Sequence, residues 1–299
     1  MNPVLPAPGA ARALQASLLS WAEGARRDLP WRRTRDPWAV LVSELMLQQT
    51  QVARVVPRYE AFLARFPDPA ATAAAPVGDV VRAWAGLGYN RRAVNLHRAA
   101  TEIVAGHDGG LPTTLADLVA LPGVGPYTAR AVLTFAFEVD LGVVEVNSAR
   151  VLARAVAGRP LGARAAQALA DALVPTGQGW AWNQAMLDLG ATICTKVAPR
   201  CDPCPLRACC AWSTTQSTMP PDPAIGSAGC GRRQSTFAGS DRQGRGRLVE
   251  ALRCGPVPRD GLAEAAGWPD DPDRAARVAA GLVSDGLAVQ VGQVLHLPT

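Results

Sequence analysis

Apolar residues recur at helical spacing through most of the chain. Between Trp38 and Phe66 they follow one another at intervals typical of a helix face, and Pro57 predicts two helices or one broken helix there. Similar patterns occur at residues 78–86, 90–105, 114–120, 126–138, 147–157, 162–173 and 181–193. Alternating patterns typical of strands are almost absent before residue 285. We therefore expect the body of the protein to be all-α.

The composition changes after Trp212. Residues 213–240 are rich in Ser, Thr, Pro and Gly, which is typical of a linker with little core of its own. Beyond the linker, helical patterns and a short hairpin around Gly292 follow; the helical patterns cover residues 242–253, 259–266 and 272–284, and the hairpin covers 287–291 and 294–297. Three helices and a hairpin predict a small winged-helix-like module at residues 241–299.

The overall composition is that of a soluble globular protein. Apolar residues make up 48% of the chain and charged residues 18%, and no apolar run has the roughly 18 residues that a membrane-spanning helix needs. The N-terminal residues show no secretory signal, so we expect a cytoplasmic protein without membrane contact. The formal net charge of +5 comes almost entirely from arginine. This charge permits a DNA partner without requiring one.

Five cysteines lie between positions 194 and 210, where four of them have the spacing C-x6-C-x2-C-x5-C: Cys194, Cys201, Cys204 and Cys210. Four thiolates so close together would repel one another unless a metal centre neutralised them. Zinc sites usually pair two C-x2-C motifs, so a single such motif with wider gaps favours a four-iron, four-sulfur (4Fe-4S) cluster over zinc. Cys209 is an adjacent spare, and we expect Cys230 and Cys254 to be ordinary structural cysteines.

Residues 121–129, LPGVGPYTA, predict a tight turn that leads into a helix. Gly123 and Gly125 let the backbone turn sharply around Val124, and they leave amide groups unshielded near the helix start at Pro126. Unpaired amides at such a position bind a phosphate oxygen without a basic side chain. The stretch alone fits an ordinary turn between helices, or a helix-hairpin-helix that contacts the DNA backbone irrespective of sequence.

Several motifs together are far more specific. Helix, LPGVG turn, helix and four cysteines at this spacing resemble the helix-hairpin-helix DNA glycosylases of the endonuclease III superfamily. Four further segments resemble the MutY family within it: LPWR (29–32), SELMLQQTQ (43–51), GLGY (86–89) and NQAMLDLGATIC (183–194). The resemblance covers about residues 12–212, and it implies two helical lobes with DNA and a flipped base between them.

The resemblance also divides the chain into parts. Residues 1–29 contribute an N-terminal helix to the lobe completed by residues 141–212, which contain the iron-sulfur loop. Residues 30–140 form a six-helix lobe with the helix-hairpin-helix. Many family members end in a Nudix-like domain that recognises 8-oxoguanine, but residues 241–299 look too short and too helical for it. The segment at 237–248 instead resembles the ending of actinobacterial members.

Two carboxyl groups carry the predicted chemistry. Glu44 lies in the apolar segment VLVSELMLQQT, where an inward-facing carboxyl would have a raised pKa and could donate a proton near neutrality. The resemblance implies that the proton goes to adenine N7. A second carboxylate would stabilise the positive charge left on the deoxyribose. The family has Asp-Gly-Asn there, whereas this chain has Glu145, Val146 and Asn147, so we expect a repositioned functional carboxylate or an impaired or altered enzyme.

The remaining site residues follow from the resemblance. Superfamily members that cut the strand have a lysine at the position of Tyr127, and this lysine forms a Schiff base that a phenol cannot form. We therefore expect base removal without efficient β-elimination, with Tyr127 near the sugar and Glu145. Gln49 and Tyr89 are implied to wedge or probe the base stack when adenine flips out, Gln49 beside the flipped adenine and Tyr89 near the opposite base. Residues implied to line the adenine pocket or support the carboxylate are Trp31, Arg32, Gln184 and Asn147.

The resemblance thus implies a monofunctional adenine DNA glycosylase of base-excision repair. As a monomer it would act on double-stranded DNA with adenine opposite 8-oxoguanine, or opposite guanine. Two alternatives stay open, namely a related mismatch glycosylase acting on thymine or another base, and a catalytically weak lesion-binding protein. Both keep every scaffold motif. Glu44 and the pocket residues favour adenine excision, whereas the substitution at position 145 keeps the alternatives open.

Overall fold

The computed structural model of the protein describes residues 7–213, 221–228 and 236–299. Within these ranges the helices are α1 (Pro8–Ala25), α2 (Pro37–Leu47), α3 (Val52–Arg65), α4 (Pro69–Ala74), α5 (Val77–Ala83), α6 (Arg91–Gly106), α7 (Leu115–Ala120), α8 (Pro126–Phe135), α9 (Val146–Val151), α10 (Ala163–Leu173), α11 (Gly179–Thr192), α12 (Asp241–Cys254), α13 (Leu262–Ala266) and α14 (Pro272–Ser284). The strands are β1 (Val257–Pro258), β2 (Val289–Val291) and β3 (Val294–His296). The predicted all-α body is confirmed.

The break between α2 and α3 corrects the role expected of Pro57. This proline lies inside α3, and the chain breaks earlier, between residues 48 and 51, where Gln49 has a φ of 55°. A proline inside a helix removes one backbone hydrogen bond and crowds the preceding turn, but the amphipathic α3 continues through it. The sequence pattern also missed the short α4, which Asp68 caps by accepting a hydrogen bond from the Ala71 N–H at 2.7 Å.

The chain forms two compact units, of which the first comprises Met1–Arg35 and Pro126–Arg233. Its helices α1, α9, α10 and α11 enclose an apolar core, with a π-helical turn (Leu152–Ala157) directly after α9. Core side chains include Leu18, Leu152, Leu169, Trp182 and Leu206. The helix α8 contacts α11 and groups with this unit, whereas the sequence had placed it in the lobe that ends at residue 140. The predicted domain boundaries stay a prediction.

The second unit comprises Asp36–Gly125 and Gln234–Thr299. Its helical part buries Trp38, Phe62, Trp84 and Leu96, while its C-terminal part has the predicted three helices and hairpin. A short strand that the sequence did not predict, β1, pairs antiparallel with β3, and β3 pairs antiparallel with β2. Residues 241–299 thus form the winged-helix-like module, which we call the C-terminal module.

The predicted linker at 213–240 is described in part. Residues 221–228 pack onto the first unit, because Asp222 pairs with Arg154 and the Ala228 N–H donates to the Leu161 carbonyl at 2.8 Å. This portion therefore differs from a free linker. Cys230 lies outside the described residues, and Cys254 is exposed. None of the helices in the described ranges is long and apolar enough to span a bilayer.

Candidate active site

Glu145 is the N-cap of α9. Its Oε1 accepts hydrogen bonds from the backbone N–H groups of Asn147 and Ser148 at 2.7 and 2.9 Å, and Ser148 Oγ accepts from the Glu145 N–H at 2.9 Å. This reciprocal pattern is a capping box, which satisfies amides that the first turn of a helix leaves unpaired. The Asn147 side-chain amide donates to Oε2 at 3.1 Å. The carboxylate is therefore held in one orientation by three donors.

The surroundings of Glu145 act on its pKa in opposite directions. Burial raises the pKa above its ordinary value, while the hydrogen bonds from Ser148 and Asn147 and the charge of Arg150 lower it, and the net shift is upward. The substitution of glycine by Val146 does not disturb the backbone, because Val146 is the first residue of α9 and its side chain is 47% exposed. Helical backbone angles suit any residue except proline in the helix interior.

Arg150 supports Asn147, which holds the Glu145 carboxylate. Its guanidinium donates to Asn147 Oδ1 at 2.7 Å, to the Gly190 carbonyl at 2.6 Å and to the Cys194 carbonyl at 2.7 Å. A Cβ at Gly190 would lie 2.7 Å from the Asn147 Cβ, so only glycine lets α11 approach α9 this closely. Arg150 thus connects the residue that holds the Glu145 carboxylate to the start of the cysteine-bearing loop.

The four cysteines with the predicted spacing, Cys194, Cys201, Cys204 and Cys210, line one small cavity. Arg154 donates to the Cys194 sulfur at 3.5 Å and to the Thr195 and Lys196 carbonyls at 2.7 and 3.1 Å. It also forms a bidentate ion pair with the Asp222 carboxylate, with N–O distances of 2.8 and 2.6 Å. A buried arginine therefore lies beside the cavity and joins it to residues 221–228.

The thiols of this cavity oppose one another's ionisation. The pKa of Cys204 is raised to about 11, chiefly because the thiol is buried and also because of charge on Cys194, Cys210 and Cys201, so four free thiolates would be unfavourable. Among the described residues, no three histidine, cysteine or acidic side chains are arranged to hold one metal ion.

The residues expected to line the adenine pocket within the first unit are buried. Trp31 and Arg32 lie in a short helical turn at Pro30–Arg32, and Gln184 lies on α11. The Arg32 guanidinium donates two hydrogen bonds to the Asp188 carboxylate, at 2.7 and 2.9 Å. Asp188 also accepts a hydrogen bond from Arg27. Burial alone would raise the pKa of Asp188, but Arg32 and Arg27 lower it below its ordinary value. The Arg32 Nε is buried without a hydrogen-bond partner in the described structure.

The second unit holds the predicted proton donor and the two stack-probing residues. Glu44 is buried on α2, at 5% exposure, as the inward-facing hypothesis requires. Gln49 and Tyr89 are exposed and both have positive φ, at 55° and 46°. A non-glycine residue in this region is uncommon, and such backbone strain concentrates at functional sites.

Arg92 fixes both of these strained loops. Its guanidinium is buried and donates to the carbonyls of Leu45, Met46 and Gln48 after Glu44, at 2.6 to 2.8 Å. The Nη2 and Nε groups of Arg92 donate to the Gly88 and Tyr89 carbonyls, at 2.9 and 3.3 Å respectively. Burial lowers the pKa of Arg92 to about 10, which leaves it charged at neutral pH. One buried charge therefore sets the positions of Gln49 and Tyr89 relative to α2.

The predicted hairpin turn has the geometry that its glycines suggest. Gly123 has a φ of 80°, and a Cβ there would lie 2.8 Å from the Asn95 Cβ, so only glycine fits. The Val124 N–H closes the turn on the Leu121 carbonyl at 3.1 Å, and α8 begins two residues later, directly after Gly125. Tyr127 is the second residue of α8 and is partly buried.

Three charged residues that organise the site could not be predicted from the motifs: Arg92, Arg150 and Asp188. Arg92 lies on the same stripe of α6 as the buried Leu96, Ala99 and Ile103, and Asp188 lies on the apolar α11. A charged residue at an apolar position of a helix is the available signal, because burial there requires a partner.

Comparisons with known proteins identify the family and the fold. Residues 42–176 match the HhH-GPD superfamily base excision DNA repair protein family. A solved thermostable thymine-DNA glycosylase superposes with a TM-score of 0.64 at 28% identity, over 69% of this chain and 97% of that chain. An endonuclease III trapped as a covalent intermediate with DNA has the same fold, with a TM-score of 0.61 at 21% identity over 69% and 96%. The fold and site therefore define a helix-hairpin-helix DNA glycosylase.

A sequence relative narrows the class. The adenine DNA glycosylase of Mycolicibacterium smegmatis is 42% identical over 277 residues, which make up 91% of this chain and 92% of that protein. The chain belongs to the adenine DNA glycosylase family. The resemblance stated from the sequence motifs is confirmed, and the match covers nine-tenths of the chain.

Proposed function

We propose that the protein is a monofunctional adenine DNA glycosylase of base-excision repair. It hydrolyses the N-glycosidic bond of adenine mispaired with 8-oxoguanine, or with guanine, in double-stranded DNA, as a monomer in the cytoplasm. The observation that carries the proposal is the Glu145 carboxylate, held by three hydrogen bonds in a chain 42% identical to an adenine DNA glycosylase. A glutamate at this position keeps the charge that the reaction needs.

The two carboxyl groups divide the chemistry. Glu44 donates a proton to adenine N7, the bond between the sugar C1′ and the base breaks, and its electron pair leaves with the base. Positive charge develops on the deoxyribose, and the ionised Glu145 stabilises it electrostatically. Water then adds to C1′ and gives a proton to the Glu44 carboxylate, which restores the acid and leaves an abasic site.

The remaining predicted residues bind and orient the DNA. Trp31, Arg32 and Gln184 line the adenine pocket, and Asp188 holds the Arg32 guanidinium in place. Gln49 and Tyr89 occupy or probe the stack from which the adenine is flipped. The amides around Gly123, Val124 and Gly125 contact a phosphate, which positions the duplex without reading its sequence.

Cys194, Cys201, Cys204 and Cys210 would hold a 4Fe-4S cluster in the cavity that they line. When bound, such a cluster would neutralise the four thiolates and supply a redox-active centre. Arg154 donates to the Cys194 thiolate and to two loop carbonyls, and this places a positive charge beside the site. Arg150 ties the same loop to Asn147.

Single-turnover base release tests the proposal. Duplexes carry A opposite 8-oxoguanine, A opposite G, T opposite G or A opposite T, and the Glu44→Gln variant serves as the chemical control. We expect fast release of adenine opposite 8-oxoguanine by the wild type and its loss in Glu44→Gln. Release of thymine opposite guanine would favour the mismatch glycosylase, since the thymine-DNA glycosylase superposes at 28% identity. Tight binding without release of any base would favour a lesion-binding protein.

A further inference from the structure

The first residues of α6 connect two different parts of the second unit. Asn90 and Arg91 contact the C-terminal module: Arg253 Nη2 donates to Asn90 Oδ1 at 2.9 Å, and Arg91 pairs with Asp285 at 3.2 Å. Arg92 turns the other way and holds the carbonyls of the loops that carry Gln49 and Tyr89. Asn90, which the module contacts, is therefore the next residue in the chain after the exposed Tyr89.

Arg253 is fixed at this junction. Its side chain is 8% exposed, and besides Asn90 it donates to the Val81 carbonyl at 3.1 Å and pairs with Glu250 at 2.7 Å. A guanidinium held on several sides presents its donors in one geometry. Asn90 directly follows Tyr89 in the chain, so its placement by Arg253 restricts the backbone that presents the Tyr89 ring.

Further contacts attach the module firmly. The Gly78 N–H near the start of α5 donates to the Pro298 carbonyl at 2.7 Å, and Gly286 lies against Val94 and Arg98 of α6. Asp285 binds Arg245 of the module as well as Arg91, with the Arg245 contact at 2.5 Å. The module thus packs on the two helices that flank the loop at residues 84–90.

We propose that the C-terminal module positions the Tyr89 loop, with Arg253 as the positioning residue that acts through Asn90. The loop needs such support, because Tyr89 has a φ of 46°, which is strained for a non-glycine residue. Gly86 and Gly88 beside it leave the backbone conformationally permissive, so they do not fix the loop by themselves. The inference rests on the proposed function in one respect: Tyr89 probes the base opposite the adenine. The module thereby contributes to discrimination between 8-oxoguanine and guanine through the placement of Tyr89.

Hydrogen exchange of the free protein tests the positioning role independently of any activity. We expect Arg253→Ala to speed amide exchange about fivefold at residues 86–92, the equivalent of one lost hydrogen bond. Arg274→Ala is the matched control, because Arg274 pairs with Asp241 and lies over the Trp268 ring, both inside the module. Equal exchange at 86–92 in both variants would overturn the inference.

The ratio of single-turnover rates for adenine opposite 8-oxoguanine and opposite guanine tests the consequence for specificity. We expect this ratio to fall about fivefold in Arg253→Ala and in Asn90→Ala, and to fall no further in the double variant, because each change removes the same Arg253–Asn90 hydrogen bond and that bond carries the effect on Tyr89. Arg274→Ala should keep the wild-type ratio. A changed ratio with strictly additive effects would overturn the route through Asn90. If the wild type releases no adenine, the proposed function fails, while the exchange experiment still decides the positioning role.

Discussion

Asn147 donates two hydrogen bonds to the carboxylate of Glu145, one from its backbone N–H at 2.7 Å and one from its side-chain amide at 3.1 Å. Arg150 in turn donates to Oδ1 of the Asn147 side chain at 2.7 Å. The longer side chain of glutamate is thus accommodated by folding it back onto the start of α9. Asn147 is consequently the residue on which the direction of the carboxylate depends most.

Removal of the Asn147 side chain tests this dependence. We expect Asn147→Ala to lower the single-turnover rate of adenine release by about 10- to 100-fold, because small displacements of a catalytic group are costly. The affinity for DNA should change much less. Val146→Ala is the control, since that side chain is exposed beside the same helix start. Equal rates for Asn147→Ala and the wild type would show that the amide is not needed.

The acid side of the pH–rate profile reports the ionisation of Glu145. Because burial raises the pKa of this group, the rate should fall with decreasing pH at values above the 4.5 of an ordinary glutamate. The same shift makes the Glu145 contribution to the free energy of unfolding greatest below pH 4.5 and lost as the pH rises through the folded-state pKa. Glu145→Gln should remove this pH-dependent part. An acid limb at or below 4.5 would contradict the assignment.

Tyr127 determines whether the strand is cut. We expect Tyr127→Lys to form a covalent adduct with DNA that borohydride traps, because an amine at the start of α8 can attack the sugar C1′. Tyr127→Phe should give no adduct, and neither should the wild type. A folded Tyr127→Lys protein that releases adenine but traps no DNA would place residue 127 away from the sugar.

Asp222 stabilises the cysteine-bearing loop through Arg154. In Asp222→Asn the buried guanidinium loses its ionic partner, so we expect a lower melting temperature and faster loss of the cluster absorption at about 400 nm. Asp202→Asn is a suitable control, because Asp202 pairs with Arg207 on the exposed side of the same loop. Identical rates of loss in the two variants would contradict a supporting role for residues 221–228.

Asp188 joins the N-terminal segment to α11 in the first unit. Its side chain is 1% exposed, and Asp188→Asn leaves the buried Arg32 without its counter-charge, so we expect a loss of about 3–5 kcal/mol in the free energy of unfolding. Denaturant unfolding measures this value. Asp28→Asn, which breaks the exposed pair with Arg33, should change stability little. A similarly small effect at Asp188 would show that the Arg32 pair is not structural.

Periodicity predicted most of the helices because each one buries an apolar stripe. The prediction of the break near Pro57 was wrong, since amphipathic packing kept α3 continuous and the chain instead turned at Gln49. The strand β1 has two residues, too few for an alternating pattern, and it exists through pairing with β3. The local sequence pattern could predict neither the continuity of α3 nor the strand β1.

The site shows the same limit at the level of single residues. Glu44 could be expected to face inward because its neighbours are apolar, and its burial agrees. The partners of Arg92, Arg150 and Asp188 are mostly 40 or more residues away in the chain, so no local pattern identifies them. The capping role of Glu145 was readable in principle, since Ser148 follows it at the spacing of a capping box.

The most direct test of the account uses one duplex that carries both an adenine opposite 8-oxoguanine and, further along, a thymine opposite guanine. The released bases are identified chromatographically, and the strands are examined before and after alkali. We predict release of adenine alone, with strand cleavage only after alkali and no release by Glu44→Gln. Release of thymine, or no base release by a folded protein that binds this duplex, would contradict the account.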